Sequence, residues 1–208
     1  MVSERMVHGD IVEYTRSHPE VNRVQLLVDA AIGLEYLHDH NMVHGDLRGA
    51  NIFINKHLCA CLSDFGFSTG LGGGDSDSIS SGSTGSLVSS SWNFQWASPE
   101  LLLFNPYGPT KQSDCYALGM VIYEVLCGEV PYQGKDLRGV KDIIASGRRP
   151  PKPEAAESLG FIGGLWNMVK ATWQEDPASR PDVKEILRCL RSTALAWDTR
   201  LPAPLGCR

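Results

Sequence analysis

Apolar and polar residues recur along the chain with spacings that predict mostly helices. Between residues 22 and 38 the apolar side chains lie three and four positions apart, which is the spacing of one helix face. They are Val24, Leu27, Val28, Ala31, Leu34 and Leu37. Residues 113–126 are apolar on nearly every side, so a second helix there is predicted to be buried at the centre of the fold. Gly128 is expected to end that helix.

Shorter segments complete the predicted architecture. Asp10 and Glu13 have the spacing of a helix-capping pair, so a short helix is predicted to begin there and to end before Pro19. Two β-type runs, 51–54 and 58–62, are separated by three residues and predict a hairpin. Further helices are predicted at 137–145, 161–174 and 181–190. The fold class is therefore expected to be mainly α (α+β), with one small hairpin.

One segment departs from this periodic pattern. Residues 70–91 consist almost entirely of Gly, Ser, Asp and Thr, and they offer few side chains to bury. Such a segment cannot offset its own ordering entropy, so a mobile loop is predicted. A flexible linker is favoured for it over a regulatory segment that is phosphorylated, although its nine serines between Asp75 and Ser91 leave modification open.

Composition and charge exclude several classes of protein. With 208 residues, of which 42% are hydrophobic and 21% charged, the chain can form a core and is not disordered. Its net charge of −5 gives no reason to expect nucleic acid or an anionic membrane as a partner. The six cysteines include no C-x-x-C pair, and neither a signal peptide nor a membrane span is recognisable. A cytoplasmic protein is expected, with the nucleus as an alternative.

Three oxygen-bearing side chains flank the predicted hairpin. Asp46 precedes it, Asn51 stands at its very start, and Asp64 follows it. Because a hairpin brings its two ends together, these side chains are expected to converge on one place. Carboxylate and amide oxygens are hard ligands of the kind that magnesium takes together with substrate phosphates. A zinc site formed by the histidines around position 40 is the alternative, and the lack of partnering cysteines disfavours it.

The same region resembles the protein kinase superfamily. Its catalytic loop and metal-binding turn are similar to residues 44–51 (HGDLRGAN) and 63–66 (SDFG). Further segments resemble the family's hinge, the A-P-E segment, the buried central helix and the late W-x-x-D-P-x-x-R-P signature. These are residues 2–10 (VSERMVHGD), 96–100 (WASPE), 113–119 (SDCYALG) and 173–181 (WQEDPASRP). They follow one another in the family's order and cover nearly the whole chain.

The resemblance implies a division of the chain. It identifies a kinase-like C-terminal lobe, which is the larger and mainly helical lobe of the family's fold. The implied segments are a hinge at 1–9, the lobe at 10–197 and a tail at 198–208, with an activation loop at 64–100 inside the lobe.

The resemblance also implies roles for individual residues. Asp46 would accept or orient the proton of the substrate hydroxyl, and Arg48 would steady the transferred phosphoryl group. Asn51 and Asp64 would hold magnesium, and ATP would be the phosphoryl donor. The residues implied in binding the nucleotide and its metal are Glu4, Met6, Asp10, Asn51 and Asp64. A protein hydroxyl would be the acceptor.

Other residues of the motifs are implied to be structural. Glu100 and Arg180 would form a buried ion pair, and Asp114 would tie the central helix to the catalytic loop. His44 and Phe65 would pack beneath the site.

Some positions depart from the family pattern. Gly45 stands where most members have Arg, which weakens the case for a switch by phosphorylation of the activation loop. Arg48 and Trp96 are similar to the tyrosine-specific branch, and Trp92-Asn93 replaces the usual Gly-Thr of serine/threonine enzymes. The acceptor is thus ambiguous, with Ser/Thr favoured over Tyr.

The largest departure concerns the other wall of the nucleotide pocket. If Met1 is the true start, the family's glycine-rich loop and its strand lysine are lacking. Catalysis by the chain alone is then expected to be impaired, and a partner chain is expected to cover the exposed surface where a small lobe would dock. The alternatives are a catalytically silent, pseudokinase-type scaffold and a truncated fragment of a longer kinase.

Overall fold

The computed structural model describes residues 6–64, 93–104 and 108–198. In these ranges the fold consists of six α helices and one antiparallel pair of short strands, which contacts α1 and α2. The helices are α1 (Ile11–Ser17), α2 (Arg23–Asp39), α3 (Lys111–Cys127), α4 (Leu137–Ala145), α5 (Leu165–Thr172) and α6 (Val183–Asp198). The strands are β1 (Ile52–Ile54) and β2 (Ala60–Leu62). The expectation of a mainly α fold with a small hairpin is confirmed.

Helix α3 is the centre of the fold. Thr110 caps its first turn, since the Thr110 Oγ1 accepts a hydrogen bond from the Ser113 N–H at 3.1 Å. Gly128 ends it with a left-handed φ of 74°, as the sequence predicts. Nearly every residue between these ends is buried, and α1, α2 and α5 pack around the helix.

Helix α2 joins the helical core to the hairpin. Its apolar face is buried as predicted, and it packs along α6. On another side it contacts β2, where the carboxylate of Asp29 accepts the Ala60 N–H at 3.2 Å. The hairpin is thus held against the core by a side chain as well as by apolar packing.

The hairpin lies next to the start of α1. Ile52 pairs with Leu62 and Ile54 with Ala60. The Ile54 N–H also donates to the Gly9 carbonyl at 3.0 Å, just before Asp10 caps α1. The loop that enters β1 and the turn that leaves β2 therefore open at the same end of the hairpin.

Two helix boundaries differ from the sequence prediction by more than two residues. Helix α5 begins at Leu165 instead of near residue 161, because Gly163 and Gly164 adopt φ values of 58° and 89°, which interrupt a helix. Helix α6 continues to Asp198, eight residues beyond the predicted end at Leu190, because residues such as Ala194 are still buried. The predicted loop at 70–91 and the rest of the predicted tail, 199–208, lie outside the described residues.

Across the ranges that the structure describes, every helix is too short or too polar to cross a lipid bilayer.

Candidate active site

The loop at 44–51 is anchored at its beginning by Asp114, in the first turn of α3. The two carboxylate oxygens of Asp114 accept the backbone N–H groups of His44 at 2.8 Å and Gly45 at 2.9 Å. The same carboxylate lies 2.9 Å from Nε2 of His38 on α2. Asp114 is only 1% exposed, so these hydrogen bonds form away from water. The predicted tie between the central helix and the loop is confirmed.

His44 supports Asp46 from below. The His44 ring is fully buried, and its Nδ1 accepts the Asp46 N–H at 3.3 Å. Burial lowers the pKa of His44, although the charges of Asp114, Asp46 and Asp64 act to raise it. A neutral imidazole is the form that can accept a hydrogen bond at Nδ1. The expected packing role of His44 is confirmed, and Phe65 lies outside the described residues.

The carboxylate of Asp46 is held by two amide side chains. Asn51 donates from Nδ2 to Oδ2 of Asp46 at 3.0 Å and to the Asp46 carbonyl at 2.8 Å. Asn93 donates from Nδ2 to the other oxygen, Oδ1, at 2.9 Å. Each carboxylate oxygen thus has a fixed donor and keeps a second lone pair. Asn93 is a contact that the sequence did not predict, although it stands where the family usually has Thr.

Arg48 adds a positive charge beside this carboxylate. Its Nε lies 3.7 Å from Oδ2 of Asp46, which is an electrostatic contact rather than a hydrogen bond. That Nε is buried and makes no hydrogen bond within the described part of the chain. The Nε–H group of Arg48 is therefore not engaged in a hydrogen bond with the described part of the protein.

Asp64 follows β2 and is brought to the Asn51 end of the loop. The backbone N–H and the hydroxyl of Ser63 both donate to the Asn51 carbonyl, at 2.9 and 3.1 Å. Asp64 itself is exposed and has a left-handed φ of 58°, a conformation that is uncommon for a residue with a side chain. Such backbone strain is concentrated at functional sites.

The donor set of this region is compatible with magnesium. Within residues 6–64, 93–104 and 108–198, no three His, Cys, Asp or Glu side chains gather into a metal centre of their own. Magnesium commonly takes only one or two protein carboxylates and completes its shell with water and substrate phosphates. Asn51 uses its amide nitrogen for Asp46, so its oxygen is not engaged by that contact.

The residues predicted to bind the nucleotide lie at the edge of the described structure. Met6 is half-buried, and Glu4 lies outside the described residues. Asp10 caps α1 through Oδ1, which accepts the N–H groups of Val12 at 2.9 Å and Glu13 at 2.8 Å. The nucleotide roles of these three residues stay predictions.

Glu100 and Arg180 form the predicted ion pair. Two guanidinium nitrogens of Arg180 donate to the two carboxylate oxygens of Glu100, at 2.8 and 2.7 Å. Burial by itself raises the pKa of Glu100, but the hydrogen bonds and charge of Arg180 outweigh it and hold the pKa below its usual value. The pair fastens the segment 93–104 to the body of the fold at Glu100.

Glu124, near the end of α3, is a second carboxylate that contacts the loop. Its Oε2 accepts the Gly49 N–H at 3.0 Å and the indole N–H of Trp96 at 2.8 Å. Burial raises the pKa of Glu124 to about 7. Glu124 is not among the residues predicted from the sequence. The signal that points to it is a lone acid inside an apolar helix, since a buried charge needs hydrogen-bond donors.

Comparison with known proteins shows which family this chain resembles in sequence. A family model described as protein tyrosine and serine/threonine kinase matches residues 1–190. Serine/threonine-protein kinase STY17 of Arabidopsis thaliana is 28% identical over 91% of this chain and 31% of its own length. Tyrosine-protein kinase ABL2 of Mus musculus is 31% identical over 89% of this chain and 15% of its own length. Dual specificity protein kinase shkD of Dictyostelium discoideum is 30% identical over 88% of this chain and 23% of its own length.

The chain thus spans less than a third of the length of each of these relatives. The match nevertheless runs through every segment from which the sequence predicted a kinase, including the loop fixed by Asp114 and the pair of Glu100 with Arg180. The chain therefore belongs to the protein tyrosine and serine/threonine kinase family.

Proposed function

We propose that this chain provides the catalytic loop and metal-binding residues of a protein kinase that transfers the γ-phosphoryl group of ATP to a protein hydroxyl. The observation that carries the proposal is the fixed carboxylate of Asp46, which accepts hydrogen bonds from Asn51 and Asn93 on a loop anchored by Asp114. Positioning and charge stabilisation supply most of the catalysis in phosphoryl transfer, and a preorganised carboxylate serves both.

Asp46 is the residue we assign to the acceptor hydroxyl. Its carboxylate accepts the hydroxyl hydrogen bond and takes up the proton as the acceptor oxygen bonds to phosphorus and the bond from phosphorus to ADP breaks. The lone pairs that Asn51 and Asn93 leave on its two oxygens allow this. Arg48, with its buried Nε beside Asp46, stabilises negative charge on the transferred group.

Asn51 and Asp64 are the residues that would hold magnesium, through an amide oxygen and a carboxylate. The ion would neutralise charge on the phosphates when bound. Glu4, Met6 and Asp10 would line the nucleotide side of the site. Asp10 supports this by its position, since it lies in a bridge beside Phe53 of β1, next to the loop that carries Asn51.

We favour Ser/Thr over Tyr as the acceptor, because the Arabidopsis relative is a serine/threonine kinase and Asn93 supplies a polar side chain where serine/threonine enzymes have Thr. Residues 1–208 include neither the glycine-rich loop nor the strand lysine of the family pattern. Transfer by this chain alone is therefore proposed to be slow, and a partner chain that supplies those segments is expected to raise it.

The test compares Asp46→Asn with Asp142→Asn, a matched change on the exposed face of α4. The chain is incubated with Mg-ATP and a mixture of Ser/Thr and Tyr peptides, and phosphorylated residues are identified by mass spectrometry. We expect Asp46→Asn to reduce transfer about 10²–10⁴-fold, the usual contribution of a general base. Mg-ATP should still raise the melting temperature of this variant, because a ligand of the native state stabilises it.

Equal transfer by Asp46→Asn and the wild-type chain would contradict the assigned role. A wild-type chain that Mg-ATP does not stabilise at millimolar concentration, and that transfers no phosphate, would favour the alternative of a catalytically silent scaffold.

A further inference from the structure

The feature that the proposed mechanism leaves unused is the carboxylate of Glu124. It is 4% exposed and lies on the same helix as Asp114, ten residues further along. One of its two oxygens, Oε2, accepts hydrogen bonds from two segments that are far apart in sequence. These are the loop at Gly49 and the segment at Trp96. A buried carboxylate is costly unless donors satisfy it, so these two bonds fix its place.

Each of the two donors leads to the carboxylate of Asp46. Gly49 begins the short 3₁₀ turn Gly49–Asn51, and Asn51 donates to Oδ2 of Asp46. On the other side, the backbone N–H of Trp96 donates to the Asn93 carbonyl at 3.0 Å, and the Asn93 side chain donates to Oδ1 of Asp46. The two amides that hold Asp46 are therefore both connected to one oxygen of Glu124.

The packing around Gly49 makes this connection tight. A Cβ atom at Gly49 would overlap Val12 of α1 and would come within 2.8 Å of Oε2 of Glu124. Gly49 therefore lies in close contact with both α1 and the carboxylate of Glu124. A displacement of that carboxylate is expected to displace Gly49 as well.

We propose that Glu124 is a positioning residue for phosphoryl transfer: it holds Gly49 and Trp96 together and thereby orients Asn51 and Asn93 on the carboxylate of Asp46. The catalytic part of this inference rests on the proposed function. Glu124 touches neither the acceptor nor the nucleotide in this scheme, and it acts through the two amides.

The surroundings of Glu124 make its charge sensitive to pH near neutrality. Burial and the charge of Asp10, the cap of α1, raise its pKa, whereas the hydrogen bonds from Gly49 and Trp96 and the charge of Arg48 lower it. The result is a pKa of about 7. Since a carboxylate is a stronger acceptor than a protonated acid, acidification is expected to weaken the hydrogen bond of the Trp96 indole.

The first arm of the experiment observes the indole directly. The chain labelled with ¹⁵N contains five tryptophans, and Trp96→Phe identifies the indole N–H signal of Trp96. In the wild-type chain this signal should titrate with a midpoint at about pH 7. In Glu124→Gln, which keeps an acceptor without a titratable proton, it should not titrate. Glu129→Gln, an exposed change just beyond the end of α3, should titrate like the wild-type chain.

The second arm measures phosphoryl transfer as a function of pH. In the wild-type chain kcat should fall on acidification with a midpoint at about pH 7, and in Glu124→Gln this fall should be absent. The KM for ATP should be unchanged, as expected for a residue that positions the base. Glu124→Leu, which removes the acceptor, should lower kcat roughly 10²-fold, the loss that a misplacement of about 1 Å can produce. If the leucine variant does not fold, the glutamine variant decides the matter.

The two arms separate the inference from the function on which it rests. A Trp96 signal whose position and pH response are the same in Glu124→Gln as in the wild-type chain overturns the inference whatever the activity. So does a kcat profile that is the same in Glu124→Gln and the wild-type chain. A titrating signal in a chain that transfers no phosphate under any condition overturns the proposed function instead, and the catalytic role of Glu124 with it.

Discussion

The two ends of α3 hold the loop at residues 44–51 by carboxylates that differ in their environment. Asp114 lies in the first turn, where the positive end of the helix dipole favours a negative charge. It has the His44 and Gly45 N–H groups as donors and His38 beside it. Glu124 lies near the other end of the helix, where the dipole disfavours negative charge, and it has two donors on one oxygen. Its pKa is raised to about 7, chiefly by burial.

The difference indicates that the two ends of one buried helix hold different parts of the loop in different ways. The beginning of the loop is attached to a carboxylate that is surrounded by donors, whereas Gly49 and Trp96 are attached to a carboxylate that can gain a proton near neutral pH. Protonation of Glu124 is therefore expected to weaken the hold on Gly49 and Trp96.

Removal of the first anchor should have the largest effect. Asp114→Ala leaves the buried N–H of His44 and the partly buried N–H of Gly45 without their acceptor, and an unsatisfied buried donor costs about 1–3 kcal/mol. Together with the loss of the contact to His38, we expect the free energy of unfolding to fall by roughly 4 kcal/mol. Chemical denaturation followed by circular dichroism measures this.

Asp142→Ala is the control for that experiment, because Asp142 is an exposed acid on α4. It should leave the denaturation midpoint nearly unchanged, as most surface substitutions do. A loss of stability in Asp114→Ala no larger than that of the control would show that the loop does not depend on this anchor.

The second anchor should be visible in the pH dependence of stability. Burial raises the folded-state pKa of Glu124 from 4.5 to about 7, so between these values the folded chain binds more protons than the unfolded chain. Stability must therefore fall as pH rises through this window. Relative to Glu124→Gln, the wild-type chain should lose on the order of 2–3 kcal/mol of unfolding free energy from pH 4.5 to 7.

The comparison with Glu124→Gln removes other titrating groups from the result. Burial lowers the pKa of His44, which makes stability rise with pH and opposes the effect of Glu124. Both chains contain His44, so its contribution cancels in the difference between their unfolding curves. A difference that stays constant with pH would mean that Glu124 does not titrate in the folded chain.

The sequence could predict one anchor better than the other. Asp114 stands in a motif of the family, and its tie to the loop follows from the resemblance. Glu124 stands in a helix that is apolar all round, where periodicity gives no face and hence no partner. Its donors lie 75 and 28 residues away in sequence, and only the folded chain brings them to one oxygen.

The fold and the contacts of Asp46 also divide into features that local sequence predicts and features that depend on tertiary contacts. Helices α2 and α3 and the hairpin were predictable because burial alone imposes their spacing. The end of α6 was not, because its last turns are stabilised by packing that the predicted boundary left out. Asn93 was visible as a departure from the family pattern, but its hydrogen bond to Asp46 crosses 47 residues and needed the structure.

The smallest effects are expected from alanine at the two glycines that these anchors hold, Gly45 and Gly49, and their causes differ. Gly45 has a φ of 80°, so an alanine there is strained by its own backbone, at a cost of about 1 kcal/mol. At Gly49 a Cβ atom meets Val12 and the carboxylate of Glu124, and overpacking of this kind costs about 2 kcal/mol.

A second substitution separates these two causes. Val12→Ala makes room beside Gly49, so it should recover part of the stability that Gly49→Ala loses and none of the loss in Gly45→Ala. The measurement is a double-mutant cycle of unfolding free energies for each pair. If Val12→Ala rescues neither variant, the loop at Gly49 is not wedged between α1 and α3, and Glu124 then holds it by the hydrogen bond alone.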